Sequence, residues 1–283
     1  MGQTKMDNTR FNLTWFGTAC FGLQYGEDRI LFDPFLQLKG GSYSVDPGDW
    51  SKYDTIFVTH CHFDHLYTVT ELLEAADGDI SVFCTKQCCD TLREFSEDQS
   101  NVVQIEAGRS YRIGTININV LKGRHIEFQR RHILDTMSPG RVLRYASNLP
   151  FLYQANRIFQ EAGESVVFDI MAGDDKRMRG APGRRSDGKR ILLLGSLALH
   201  PDETYPEGVD ILILPYQGNN DLPSRAREVL VRLKPRSVLL SHFDNAFPPM
   251  SRNVDLKPLK RMMEMEFPDI RVVKPEAGKQ MKI

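Results

Sequence analysis

No stretch of this chain approaches the ~20 consecutive apolar residues that a membrane-spanning helix requires, and Met1-Gly2-Gln3-Thr4-Lys5-Met6 lacks the apolar run of a secretory leader. A cytoplasmic protein without a membrane span is therefore expected. Charge of one sign is also missing: 36 basic residues stand against 37 acidic ones, for a formal net charge of −1. Nucleic-acid binding normally needs a basic face, so a nucleic-acid partner is not expected and any preference for anions has to be local. Cysteine is scarce, five in 283 residues. The five are odd in number and sit within or beside predicted strands and helices, which argues against a disulfide framework and for a reducing compartment. Cys84-x-x-x-Cys88-Cys89 has metal-binding potential but no partner cluster elsewhere, so buried thiols are the plainer reading. No Gly-x-Ser-x-Gly elbow signals a serine nucleophile.

What the chain does have is concentrated in Thr59-His60-Cys61-His62-Phe63-Asp64-His65, which holds three of the seven histidines. The apolar run Tyr53–Val58 before it reads as a buried strand, and Leu66, Val69, Leu72, Leu73 and Ala76 after it repeat at helical spacing. A strand end, a short loop and a helix start would thus aim three imidazoles and a carboxylate into one mouth. Imidazole with carboxylate is the ligand chemistry of zinc, manganese or iron. A set of surface histidines is the competing explanation, and their clustering disfavours it.

The length allows one large α/β domain or two small ones. Strands are expected at Asn12–Phe16, Phe21–Tyr25 and Arg29–Phe32, joined by turns at Gly17 and Gly26-Glu27-Asp28 as an antiparallel meander closed by Asp33-Pro34. A strand at Ile80–Cys84, a helix at Lys86–Phe95 and strands at Val102–Ile105 and Thr115–Leu121 follow. Phe151, Leu152, Ala155, Ile158, Phe159 and Ala162 then repeat as a helix, with Pro150 in its first turn and Gly163 as its stop. Between 124 and 157, Arg124, Arg130, Arg131, Arg141, Arg144 and Arg157 face only Glu127 and Asp135. That local positive charge is either a cap selecting an anionic substrate or a solvated face. Residues 172–188 are rich in Gly, Pro and charge and read as a hairpin tip. Strands at Ser165–Ile170, Ile191–Leu194, Val209–Leu214, Ser237–Leu240 and Arg271–Lys274 are interleaved with helices from Leu222 to Leu233, N-capped by Ser224, and from Asp255 to Phe267.

His60-x-His62-x-Asp64-His65 after a strand, together with the opening from Leu13 to Phe35, resembles the metallo-β-lactamase superfamily. The resemblance implies one domain over 1–283 with a four-layer αββα sandwich, carrying a helical insertion at 126–163. It implies a first metal on His60, His62 and His125 and a second on Asp64, His65 and His242, with His132 a rival to His125. It places Asp33 near the metal loop, although a plain turn aspartate fits Asp33-Pro34 equally well. At the turn Gly195-Ser196, where the superfamily usually carries an aspartate or cysteine, Ser196 would occupy the bridging position as a much weaker ligand. Asp169 and Asp202 are near in sequence but do not match that turn. One or two divalent ions, zinc foremost with manganese or iron as alternatives, would then activate water for attack on a carbonyl or phosphorus, with Asp64 orienting it. His62 in place of a glutamate disfavours the di-iron, oxygen-reducing branch. The chain looks most like the branch containing L-ascorbate-6-phosphate lactonase and phosphodiesterase-like enzymes. The implied function is hydrolysis of a small anionic ester, lactone or phosphodiester; the alternatives are a non-catalytic binding or scaffold protein with a weakened second metal site, and a nuclease. Oligomeric state is left open.

Overall fold

The structure, a computed structural model, describes residues 10–75, 79–95, 101–126, 136–159, 162–172 and 189–283. Two seven-stranded sheets carry the chain. The first contains β1 (Phe11–Gly17), β2 (Cys20–Tyr25), β3 (Asp28–Phe32), β4 (Thr55–Phe57), β5 (Ser81–Cys84), β6 (Val102–Gln104) and the last strand, β14 (Gln280–Lys282). Its order is β14-β1-β2-β3-β4-β5-β6. The second contains β7 (Ser110–Ile113), β8 (Ile116–Lys122), β9 (Val166–Ala172), β10 (Arg190–Leu194), β11 (Ile211–Pro215), β12 (Ser237–Ser241) and β13 (Arg271–Val273), in the order β13-β12-β11-β10-β9-β8-β7. The expected meander is present, since β1-β2 and β2-β3 are antiparallel. From β3 to β6, and again from β10 to β13, neighbouring strands run parallel.

The two-residue period of the strands divides the core. In β3, Ile30 and Phe32 face the second sheet, while Leu31 faces the helices on the opposite side. Phe32 and Phe57 meet Phe168 of β9 across the sheet interface, with ring centroids 5.6 and 5.4 Å apart. Each such ring removed from water contributes roughly 1.5–3 kcal/mol. On the outer face of the first sheet lie α1 (Phe63–Ala75), α2 (Lys86–Leu92) and α4 (Leu149–Ile158); the short α3 (Pro139–Arg144) precedes α4. On the second sheet lie α5 (Leu222–Leu233) and α6 (Lys257–Glu266), whose buried Ala226, Val229, Leu230, Leu233, Leu259, Met262 and Met263 join the core. The αββα sandwich implied by the sequence is thus the observed architecture. No helix among the described residues is long and apolar enough to cross a membrane.

Several local expectations change. Ser224 lies inside α5, which starts at Leu222 after Asp221 with Pro223 in its first turn. Helix α4 closes at Ile158, well before Gly163, and α6 is shorter than Asp255–Phe267. Two strands were not anticipated: β7, with exposed Ser110 and Arg112, and β14, whose pairing with β1 joins the two ends of the chain. Ala76, Arg130, Arg131, His132, Ala162's neighbours 160–161 and residues 173–188 lie outside the described residues or border them.

Candidate metal centre

The site lies where strands end. After β4 the chain continues through Val58 and Thr59 to His60, and α1 begins at Phe63, so Asp64 and His65 occupy its first turn. A carboxylate there is favoured by the helix dipole. His125 follows β8, Ser196 follows β10 and His242 follows β12. The turn carrying Ser196 presses against the metal loop: a Cβ on Gly195 would lie 2.6 Å from Thr59 Cβ, so only glycine fits. His242 has φ +53 and its N–H donates to Thr18 O at 2.7 Å. Thr18 and Asp33 also have positive φ. Among the described residues, three of the four non-glycine residues in that sparsely allowed region therefore border the same site, a strain that the surrounding packing must hold.

His60, His62 and His125 form one set of ligand-capable residues, and Asp64, His65 and His242 another; within each set the ligand atoms lie within 4.8 Å of one another. The sets abut, with the His60 and His65 rings 4.0 Å apart. Hydrogen bonds fix the imidazole tautomers. His125 Nδ1 lies 2.7 Å from Ile126 O, so it must donate. His65 Nδ1 donates to the Asp33 carboxylate at 3.0 Å. His242 Nδ1 donates to Gln217 Oε1 at 2.9 Å, leaving Nε2 facing Asp64 Oδ2 at 2.9 Å. Thr59 Oγ1 donates to Asp33 Oδ2 at 2.8 Å, so it accepts from His60 Nδ1 at 3.0 Å. His60, His65 and His125 each thereby keep Nε2 as the lone-pair nitrogen, while His242 Nε2 is held against the Asp64 carboxylate.

Electrostatics favour the same outcome. Burial lowers the pKa of His62 to about 4, opposed by the Asp64 carboxylate and assisted by His65. Burial, then the charge of His62, lowers His125 to about 3. His60 is pushed well below its ordinary value by burial and by its imidazole neighbours. Burial pulls His65 down, but Asp33 and Asp64 more than offset this and its pKa is raised. Burial raises the pKa of Asp64, yet His65 and the hydrogen bond from His242 outweigh it and hold the carboxyl below the usual carboxylate range. A divalent cation requires neutral imidazoles and ionised carboxylates; His60, His62 and His125 are held neutral and Asp64 ionised, so this His/Asp cluster is capable of binding one.

These shifts set a pH dependence. Unfolded histidines take up protons near pH 6.5, whereas His62 and His125 resist until about 4 and 3. Their stabilisation is present above the unfolded value and is lost as pH falls through it toward 3. His65 acts oppositely, contributing fully at low pH and less as pH rises through its raised value. Three lowered groups outweigh one raised group, so the thermal midpoint of chelator-treated protein should fall between pH 7 and 4. Scanning calorimetry should show a shallower fall for His62→Gln.

Five of the six ligand-capable residues, all but the fully buried His60, line a cavity of about 230 Å³ that also contains Ser196 and Gln217 and is walled by Phe63, Phe159, Phe247 and Met250. Ser196 Oγ accepts from Ile126 N at 3.0 Å and so braces the backbone beside His125. Asp169 is far from this role: it is buried in β9 and takes a bidentate pair from Arg190 at 2.7 and 2.8 Å. Asp202 is exposed. Of the insertion's arginines, Arg141 donates to Thr136 O and Ser251 O, and Arg144 and Arg157 lie over the Tyr145 and Tyr153 rings. Cys84, Cys88 and Cys89 are buried free thiols; among the described residues, only the two His/Asp sets gather three ligand atoms. Sequence reasoning left Thr59 and Gln217 without a role and placed Asp33 near the metal loop without its tautomer-fixing contacts. Only Asp33 had a local signal, its place before Pro34.

Residues 28–243 match the model of the Beta-lactamase superfamily domain. The chain belongs to the beta-lactamase superfamily. A UPF0173 metal-dependent hydrolase of Opitutus terrae is 26% identical over 241 residues, covering 82% of this chain and 85% of its own. One from Salinibacter ruber is 38% identical over 66 residues, 23% of this chain. The chain spans 28% and 49% of the length of two of these curated relatives, from Salinibacter ruber and Pyrococcus abyssi. Igni18, a metallo hydrolase from the archaeon Ignicoccus hospitalis, shares the superfamily fold with a TM-score of 0.60 over 97% of this chain and 99% of its own, at 16% identity. The matches identify the superfamily and do not extend to the lactonase and phosphodiesterase-like branch.

Proposed function

We propose that the protein is a metal-dependent hydrolase of a small ester, lactone or phosphodiester. The observation that carries this reading is the pair of abutting three-ligand sets, five of whose six residues line one cavity. The metal-dependent hydrolase description of the Opitutus terrae relative supports it. His60, His62 and His125 would hold one divalent ion, and Asp64, His65 and His242 would hold a second; imidazole-rich donor sets suit zinc, with manganese or iron as alternatives. The ion supplies Lewis-acid activation of water and of the scissile oxygen. Asp64, kept ionised by His65 and His242, would orient the attacking water. Phe159 and Phe247 exclude bulk solvent, with Phe159 just beyond the C-terminus of α4 in the 126–163 insertion.

Ser196 decides the metal count. Its hydroxyl is neutral and already accepts from Ile126 N, so the second set lacks the bridging charge that two cations in one site need. After dialysis against metal-free buffer, inductively coupled plasma mass spectrometry should find one tightly held equivalent per chain in the wild type and two in Ser196→Asp. Two in the wild type would show that the serine does not weaken the second position. None in either would favour the second reading, a binding protein that keeps the fold without the chemistry.

A further inference from the structure

A second cavity, of about 280 Å³, adjoins the first and shares His125, Ile126 and Leu197 with it. Its chemistry differs. Where the first is walled by aromatic rings, the described lining of the second includes Arg124, Arg225 and Arg232 with Glu228 as its one carboxylate, two positive charges in excess among those residues. In a chain whose formal net charge is −1, that excess is local. It is also concave: Leu197, Leu199 and Val229 form its apolar walls, and low-dielectric walls concentrate the field of the guanidiniums.

The arginines are held differently. Arg232 is pinned, donating to His200 O at 2.9 Å and to Glu203 O, with its guanidinium over the Tyr205 ring at 5.0 Å. It is a fixed charge. Arg225 stands on an exposed position of α5 and meets both oxygens of Glu228 only at 3.3 and 3.2 Å. Solvent-exposed ion pairs of this kind contribute little, so an incoming oxyanion can displace Glu228 from it at little cost. Arg124 is joined directly to His125, so charge held there lies one residue from the candidate metal set.

We propose that this cavity is the oxyanion subsite of the substrate, taking a carboxylate or phosphate on Arg225 and Arg124 while the apolar remainder lies among Phe159, Phe247 and Met250. The proposal rests on the hydrolase reading for the word substrate; the binding itself does not require a metal. Guanidinium recognises either group through paired N–H donors. The substrate class is thus an amphiphile, apolar near the reacting bond and anionic at one end.

The test is calorimetric titration of protein stripped with a chelator and dialysed, using 4-phenylbutyrate, phenyl phosphate and the neutral 4-phenylbutyramide. Both anions should bind at least about tenfold more tightly than the amide, as expected for charge-assisted hydrogen bonds. Arg225→Ala should remove about that factor, Arg225→Lys should restore part of it, and Glu228→Gln should tighten anion binding by freeing Arg225. Circular dichroism of each variant confirms folding. The tighter of the two anions names the natural group. Equal binding of acid and amide, absence of binding by any probe, or anion affinities unmoved by Arg225→Ala would overturn the proposal. A zinc-loaded protein that hydrolyses no ester would count against the hydrolase reading alone, because these titrations contain no metal.

Discussion

His62→Ala is expected to abolish hydrolysis and to remove the tightly held metal. His62 is one of three imidazoles whose ligand atoms share a 4.8 Å set, and its pKa, lowered to about 4, keeps its lone pair available at neutral pH. Alanine leaves His60 and His125 to hold a cation with two neutral donors, too few for a three-ligand catalytic zinc site. Turnover of whichever of p-nitrophenyl butyrate, bis(p-nitrophenyl) phosphate or a homoserine lactone the wild type cleaves fastest should drop at least about 1,000-fold, equivalent to roughly 4 kcal/mol of transition-state stabilisation. Metal content should fall in parallel. The fold should survive, because His62 is only partly buried and its hydrogen bond at 3.1 Å joins it to His60 Nε2, another candidate ligand. The chelated variant should melt no lower than the chelated wild type, since it no longer carries an imidazole forced to stay neutral. Wild-type turnover by the metal-depleted variant would end the proposed mechanism.

The parts of this site that were readable in the sequence are those in which chemistry and chain order coincide. His60, His62, Asp64 and His65 are contiguous, so a strand and a helix start suffice to bring them together. His125 and His242 are distant, but each directly follows a strand, and the superfamily resemblance picks out such positions. The alternation of Ile116, Ile118 and Val120 marks a strand for the same local reason. Other features depend on contacts that no local pattern encodes. Thr59 and His65 meet Asp33 across 26 and 32 residues, and Gln217 meets His242 across 25. Strand β14 exists because β1 offers it an edge, not because Gln280-Met281-Lys282 reads as a strand. The arginines between 124 and 157 left two readings open, an anion selector or a solvated face. Arg141 bonds to backbone and Arg144 and Arg157 lie on tyrosines, whereas Arg124 lines a cavity with Arg225 and Arg232, about a hundred residues further along.

Asp33→Asn should weaken metal binding about 10–100-fold, the range typical of a lost partner behind a ligating histidine. Asp33 is fully buried, and its two oxygens accept from Thr59 N and Thr59 Oγ1, both at 2.8 Å, and from His65 Nδ1 at 3.0 Å. It therefore sets His65 directly and His60 through Thr59. Asparagine tolerates the φ of +44 at this position and keeps the size of the side chain, so backbone strain is not added. What changes is one acceptor, which becomes a donor. Turned toward His65, the new N–H₂ faces Nδ1–H and drives the proton to Nε2, the nitrogen the metal needs. In that orientation it also opposes the Thr59 hydroxyl, which shares Oδ2 with His65, and disrupts the link to His60; turned the other way it faces Thr59 N–H, which donates to Oδ1. Either way a buried donor loses its acceptor, which should cost about 1–3 kcal/mol in the chelated protein. Thr59→Val breaks only the His60 arm and should weaken metal binding less. Competition against a fluorescent zinc chelator measures affinity, calorimetry measures stability, and the ¹⁵N shifts of His65 report its tautomer. A variant that loses stability while retaining wild-type zinc affinity and the His65 tautomer would reduce Asp33 to a packing role. Loss of affinity with the proton moved to Nε2 would place the control of two ligands in one carboxylate.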